Sequence, residues 1–546
     1  MRAFLTLHSP RRARGYHTAG LWCEETFYTL LVRHAEAREN DIALRDGTRS
    51  LTWRQLRLRV DALAEMLAGL GLVAGDRVSI WMGNRIEAVL TFLACARNGY
   101  ACNPSLHRTY NGAEIRGLLE RLSSRALLTE PGWGAGSATA DLDAVLAGLP
   151  DLQRILRPDQ LPGALSRPSV LPVWDDPDSV RYLAFTSGTT GAPKCVMHSD
   201  NTLLANARDM VRDWSHGPET VLLTLSPLSH HIAWVGVAQW LLAGCTLVLD
   251  DPPAGRSRLD WLMEAGATYV MGVPTHAIDI LAEQKRRSIA RLGKVSVFYM
   301  AGAAIPPSVC EAFVGQGITP QNVYGMTENS SHQYTHPQDD PAVIVTTCGR
   351  GGPAYKVRIF DPANPDLEVP AGTVGEIGGR GAALMLGYFG GQEVTEKSFN
   401  RDGWFMSGDL GSLDADGNLT IQGRLKDLII RGGHNIYPAH IEALALRHPA
   451  VEKVAAFPVA DERLGEKVCI AVIGSIEAGA LLTHLGREGL SKYDMPEFFI
   501  RLESFPLTAS GKILKRQLVA MAQRAEITPE PVRFEPPGRG RLDDSR

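Results

Sequence analysis

Tyr182-Leu-Ala-Phe-Thr-Ser-Gly-Thr-Thr-Gly-Ala-Pro-Lys194 is the stretch around which the chain is organised. Leu183 to Phe185 read as the end of a buried strand, and Thr186 to Gly191 are all hydroxyl residues or glycine. Glycine lets backbone N–H groups turn towards an anion, hydroxyls add donors, and Lys194 brings a positive charge. These residue types predict a loop that holds a polyphosphate. It is not a Walker A loop, because the Gly-x-x-x-x-Gly-Lys-Ser/Thr spacing is missing. A Ser/Thr/Gly run taken alone is more often a flexible linker. The downstream motifs decide against that reading.

Working outward, Ala43 to Trp53 predicts a hairpin turning at Asp46-Gly47, and Thr52 caps a helix over Trp53 to Gly69. A first helix is expected over Glu24 to Ala37, a strand over Asp76 to Trp81 and a helix over Arg85 to Arg97. Strand signals at 126–129, 221–225, 246–249, 268–273 and 295–300 then alternate with helical stretches. Such alternation predicts parallel sheets covered by helices, with ligands beyond the carboxyl ends of the strands. Ile232 to Leu249 approaches the length of a membrane span, but Gly244 breaks it and the run reads as buried helix, turn and strand.

From Val357 to Gly423 short β segments are punctuated by Gly and Pro, which predicts a β-rich subdomain. A new unit begins near Lys426, with helices over 438–447 and 515–524 and strands over 451–459 and 467–473. Glu526 to Arg546 is rich in Pro, Gly and charge and reads as a disordered tail. The expected fold class is α/β. A large N-terminal domain of parallel-rich sheets with helices, plus the β-rich subdomain, covers 1–425. A small mobile C-terminal α+β domain covers 426–525, and the tail 526–546.

A chain of 546 residues is too long for one ordinary core. A net charge of −4, with no basic aromatic-studded patch, argues against a nucleic-acid binder. The eight cysteines are scattered with no CxxC, so neither zinc site nor disulfide framework is indicated, and a reducing compartment fits. Arg2, Arg11, Arg12 and Arg14 precede any acidic residue, as in a mitochondrial presequence. The bland alternative is a basic arm lying on the main domain.

Five further motifs follow in order: Tyr324-Gly-Met-Thr-Glu328, Ser407-Gly-Asp409, Gly423-Arg-Leu-Lys-Asp427, Arg431-Gly-Gly-His-Asn-Ile-Tyr-Pro438 and Pro506-Leu-Thr-Ala-Ser-Gly-Lys512. Each alone is a weak pattern. Together with the loop, over most of the chain, they make the sequence resemble the adenylate-forming superfamily of acyl-CoA synthetases, carrier-protein adenylation domains and luciferases. Arg431 to Glu442 and the Tyr16…Trp22 start are most similar to cyclohexanecarboxylate- and medium-chain-type CoA ligases, and the latter likeness favours the arm.

The resemblance implies ATP, Mg²⁺ and coenzyme A as cofactors. It assigns Thr186, Ser187, Gly188, Thr189, Thr190, Gly191 and Lys194 to the β- and γ-phosphates, Thr327 to the α-phosphate, and Glu328 to Mg²⁺. Tyr324, with Gly325, would stack on adenine beside Gly302, Ala303 and Ala304, and Asp409 and Arg424 would grip the ribose. Lys512 would bridge the substrate carboxylate and the α-phosphate. Lys426 would be the hinge, and Gly432-Gly433 would admit the thiol.

By position the acid tunnel would be lined by His230, Ile232, Trp234, Gly236, Met300, Val323 and Met326, which offer no charge for an amino group. His230-His231 is not read as a metal pair, since adjacent side chains point apart. Cys195 stands where the resembled family usually has glycine, and alkylation there is expected to inhibit, with protection by ATP.

The expected activity is ATP-dependent ligation of an alicyclic or medium-chain acid to coenzyme A, with AMP and pyrophosphate released. Loading of a carrier protein, and an inactive nucleotide-binding homologue, stay open. Expected partners are the acid and coenzyme A, with no nucleic acid, no transmembrane segment and a homodimer left open. The expected location is cytoplasmic, with the mitochondrial matrix as the alternative.

Overall fold

Val180–Thr186 and Lys194–Ser199 form an antiparallel pair, with Thr186 opposite Lys194 and Phe185 opposite Cys195. The stretch quoted first therefore joins two strands. The computed structural model describes all residues except 1–4, 8, 48, 137–140, 187–192, 304, 508–512 and 535–546. This pair closes one edge of a six-stranded sheet ordered Arg154–Leu156, Ser124–Thr129, Arg77–Trp81, Ala101–Asn103, Val180–Thr186, Lys194–Ser199. All its other neighbours are parallel.

An eight-stranded sheet runs Ser330–Tyr334, Thr319–Met326, Val297–Ala301, Tyr269–Gly272, Val221–Thr224, Thr246–Leu249, Ile42–Asp46, Arg49–Thr52. It is parallel in the middle and antiparallel at both ends, where hairpins add the edge strands. Parallel strands are covered on both faces, which is why Arg77–Trp81 is buried throughout, polar Arg77 and Ser79 included.

Helices Phe27–Ala37, Trp53–Gly69, Ile86–Asn98 and His231–Ala243 and residues of both sheets share one hydrophobic cluster. Trp53 and Trp240 lie at its centre, fully buried and stacked at 5.3 Å with planes 14° apart. Thr52 and Gln55 form a reciprocal cap, each side chain accepting from the other's backbone N–H. The long apolar run resolves as expected, with helix His231–Ala243, Gly244 at φ 63° and strand Thr246–Leu249. A Cβ on Gly244 would lie 2.2 Å from the Arg38 guanidinium, so both the turn and the packing require glycine. No described helix is long and apolar enough to cross a membrane.

The chain forms two compact units, one of 1–303, 311–357 and 379–405, the other of 304–310, 358–378 and 406 onward. The expected β-rich subdomain is a five-stranded sheet ordered Asn364–Glu368, Tyr355–Asp361, Gly375–Gly381, Phe405–Leu413, Leu419–Arg424. A further six-stranded sheet follows in the second unit, with Val451–Asp461 and Gly465–Gly474 as its long hairpin and helices Pro438–Ala445, Ala478–Arg487 and Lys515–Gln523 about it.

The expected tail from 526 needs correction as far as residue 534. Glu530–Pro531 pairs with Phe498–Phe499, the Val532 N–H donates to the Glu497 carbonyl, and Phe534 packs against the apolar cluster of this unit. Three apolar residues, Ile527, Val532 and Phe534, outweigh the prolines there. The basic start is also packed. Pro10–Thr18 is a helix capped by Ser9, Ala13 and Trp22 are buried, and the Trp22 indole donates to the Ala382 carbonyl at 2.9 Å.

Candidate active site

Thr186 and Lys194 stand at the two ends of the phosphate-loop stretch, and Ser187, Gly188, Thr189, Thr190 and Gly191 lie outside the described residues. The half-buried Lys194 places its ammonium 4.6 Å from the centroid of the Tyr388 ring, a cation–π contact. Residues 385–389 run beside the strand that leaves the loop. The Phe389 N–H donates to the Cys195 carbonyl, Leu386 N–H to Met197 and Met197 N–H to Gly387. Cys195 is buried among apolar side chains, and burial pushes its thiol up to about 12. The expected alkylation site is thus closed and its thiolate suppressed.

Tyr324 to Glu328 spans the end of strand Thr319–Met326 and the turn into Ser330–Tyr334. Gly325 has no room for a side chain, since a Cβ would sit 1.7 Å from the Ser330 carbonyl oxygen. The Met326 N–H donates to Asn329 Oδ1, which closes the turn and carries Thr327 and Glu328 at its tip. Glu328 is buried and held twice: Tyr388 Oη donates to its Oε1 at 2.9 Å, and the Met385 N–H donates to its carbonyl at 2.7 Å. Tyr324 meets His332 edge-on at 5.4 Å, and Gly302 follows strand Val297–Ala301 at φ 90° beside Ala303. Ala304 lies outside the described residues.

Behind this turn sits a buried imidazole. His198 Nε2 lies 2.6 Å from the Thr327 carbonyl and Nδ1 3.0 Å from Thr202 Oγ1. A carbonyl only accepts, so Nε2 carries the proton and Nδ1 accepts. Desolvation brings His198 down to about 4 and keeps it neutral. His231 stacks on it at 5.5 Å, bonded to Tyr182 Oη at 3.3 Å and Ser330 Oγ at 3.0 Å. His230 goes the other way, stacking on His107 at 4.5 Å. Among the described residues no cluster of metal-ligating side chains is present.

In the second unit, Asp409 and Arg424 face each other across paired strands, with Arg424 Nε 3.3 Å from Asp409 Oδ1. Gly408, at φ 74°, donates its N–H to the Glu376 carboxylate, and the Asp409 N–H is held by Ser407 Oγ. Lys426 lies in the short 3₁₀ turn Leu425–Asp427. Gly432 and Gly433, at φ 57° and 86°, form the two-residue turn between Ile429–Arg431 and His434–Ile436, the turn type that strand twist favours. Arg431 grips Glu497 through two bonds at 3.0 and 2.8 Å, and His434 Nε2 meets Asp494 at 2.7 Å. Lys515 is engaged by Glu442 at 2.7 Å. Lys512 lies outside the described residues, while Leu507 and Ile513 on either side of that stretch pair with each other.

Residues 31–389 match the AMP-binding enzyme family and residues 440–512 the AMP-binding enzyme C-terminal domain. The chain belongs to the AMP-binding enzyme family. It is 30% identical over 534 residues to the medium-chain fatty-acid–CoA ligase of Escherichia coli K12, covering 94% of this chain and 93% of the relative. It is 31% identical to the sulfoacetate–CoA ligase of Cupriavidus necator, covering 87% and 93%. Among solved structures, ATP-bound MatB from Rhodopseudomonas palustris is similar with a TM-score of 0.80 at 26% identity, over 92% of this chain and 100% of the other. Its place is among the acyl-CoA ligases of the family.

In this AMP-binding enzyme the residues expected to line the acid tunnel fall into two groups. Trp234, Met300 and Val323 are buried, Trp234 with its ring 4.4 Å from Phe92 and its indole N–H held by the Leu228 carbonyl. His230, Ile232 and Met326 are partly exposed, and Gly236 packs against Met271 of strand Tyr269–Gly272. Glu328 fits a hard cation such as Mg²⁺, which takes oxygen donors and is held by one or two carboxylates together with substrate phosphates rather than by an all-protein cage. Sequence reading missed His198 and Tyr388. Neither belongs to one of the six motifs, and their partners are 129 and 60 positions away.

Proposed function

We propose that this enzyme joins an apolar carboxylic acid, alicyclic or medium-chain, to coenzyme A through an acyl-adenylate. A carboxylate is a poor acyl donor because oxide would have to leave. Attack of its oxygen on the α-phosphorus of ATP forms a P–O bond as the bond to pyrophosphate breaks. Attack of the thiol sulfur on the acyl carbon then expels AMP, with the thiol proton lost. The chain's work is chiefly charge placement, since negative charge builds on the α-phosphate and the leaving pyrophosphate.

The observation that carries the reading is the gathering of Thr186, Lys194, Thr327 and Glu328 in one unit, tied together through Tyr388 and His198. In this reading Lys194 and the loop hydroxyls hold the outer phosphates, Thr327 meets the α-phosphate, and Glu328 holds Mg²⁺. Bound there, Mg²⁺ neutralises phosphate charge. Asp409 accepts ribose hydroxyls, with Arg424 paired to it across the strands. Lys512 serves adenylation, Gly432-Gly433 serves thiol entry, and Lys426 is the hinge of a C-terminal domain over 426–525. The basic start is a structural arm, supported by the burial of Ala13 and Trp22, and favours the cytoplasm over the mitochondrial matrix.

The acid is inferred from helix His231–Ala243, which has no Asp, Glu, Lys or Arg, and from the apolar side chains of Trp234, Met300 and Val323. A sulfonated acid like that in the name of the C. necator relative would need a cation there. The test is AMP formation across cyclohexanecarboxylate, benzoate, hexanoate to dodecanoate and sulfoacetate, with and without coenzyme A. AMP release requiring both coenzyme A and an alicyclic or medium-chain acid is expected. Adenylate without thioester would point to a carrier protein as acceptor, and preference for sulfoacetate would overturn the substrate class.

A further inference from the structure

We infer that Tyr388 is a positioning residue that holds Glu328 for its metal while keeping Lys194 away from it. This rests on the ligase reading above and deepens it. The ring does two things with two different parts. Its hydroxyl donates to Glu328 Oε1 at 2.9 Å, and its face receives the Lys194 ammonium at 4.6 Å from the centroid.

A phenol is a neutral donor. It fixes the carboxylate's rotation through Oε1 without bringing a charge of its own. Hydrogen-bonded supports of this kind are general for ligating carboxylates. An ammonium and a carboxylate that meet the same ring attract each other, and if they paired each would lose its phosphate-binding or metal-binding role. The aromatic face offers the ammonium an attractive resting place other than the carboxylate.

The position of Tyr388 is itself over-determined. Its N–H donates to Thr395 Oγ1 at 2.9 Å, its backbone bridges to Val196 on the strand that begins with Lys194, and the Met385 N–H three residues earlier holds the Glu328 carbonyl. The segment thus links the strand leaving the phosphate loop to the turn bearing the carboxylate. The phenol stands where the two meet.

The full-length protein is titrated with ATP by calorimetry in EDTA and in Mg²⁺. Mn²⁺ binding to the protein–ATP complex is followed separately by its paramagnetic spectrum. Tyr388→Phe keeps the ring and removes the hydroxyl. It is expected to leave metal-free ATP binding unchanged and to weaken Mn²⁺ binding by about 10- to 100-fold. Tyr388→Leu removes both parts and is expected to weaken metal-free ATP binding as well. Tyr388→Phe in a Glu328→Gln background should add nothing to the metal defect, which a merely structural role would not produce. Wild-type Mn²⁺ affinity in Tyr388→Phe, or additive losses in the double variant, would overturn the coupling alone. Absence of any metal-enhanced ATP binding in the wild type would overturn the ligase site and the coupling with it.

Discussion

His198 donates from Nε2 to the carbonyl oxygen of Thr327 at 2.6 Å, from a ring wholly removed from solvent. Replacing it by leucine leaves a buried carbonyl without its donor, at a cost of about 1–3 kcal/mol in stability. The turn carrying Thr327 and Glu328 also loses its back support. His198→Leu is expected to lower adenylate formation by about 10- to 100-fold, in line with the sensitivity of reaction rates to small misplacement. Acid-dependent pyrophosphate exchange checks the rate, and urea denaturation checks the stability.

Stability should fall in mild acid. Burial holds His107, His198, His216 and His276 down at about 4 and His332 at about 3. In the unfolded chain these groups titrate at about 6.5, so the unfolded state takes up protons first as pH drops. Their contribution is complete above that value and is lost as pH falls towards 4. Asp200, pushed up to about 6 by burial against the pull of Arg181, has the opposite sign and offsets part of the loss. Urea midpoints are expected to be flat above neutrality and to decline steadily from there to pH 4.5.

Gly325→Ala tests the turn itself. With its Cβ 1.7 Å from the Ser330 carbonyl oxygen, alanine forces the hairpin apart at the point that aims Tyr324, Thr327 and Glu328. Near-native far-ultraviolet circular dichroism together with loss of ATP-dependent activity is expected. Full activity would mean that the turn does not aim these groups.

Cys195 should resist alkylation in the folded protein. Among the cysteines only Cys23 is not buried, and the Cys195 thiol is both enclosed and pushed up to about 12. Brief treatment with iodoacetamide at neutral pH should modify Cys23 and leave Cys195 unmodified, with or without ATP, when peptides are mapped by mass spectrometry.

The sequence spelled out those parts of the fold whose causes are local. The helix over Trp53 to Gly69 is announced by its own capping pair Thr52 and Gln55, and the break in the long apolar run by Gly244. The strand Lys194–Ser199 was not legible, because buried His198 and Ser199 make it look polar. The packing of Val532 and Phe534 was hidden by the prolines around them. The motif residues could be named from their order alone, but what supports them could not. Tyr388 and His198 act on partners far away in sequence, and no local pattern marks a residue whose role is to hold another.

All ten tryptophans, from Trp22 to Trp404, belong to the unit that contains the stacked Trp53–Trp240 pair, and the unit running from Met406 has none. Intrinsic tryptophan emission is therefore a one-sided reporter. Excited at the red edge of aromatic absorption, the protein will register loosening around the phosphate-loop strands and stay silent while the C-terminal sheet melts. A single tryptophan introduced at the exposed Tyr493 would give that half its own signal.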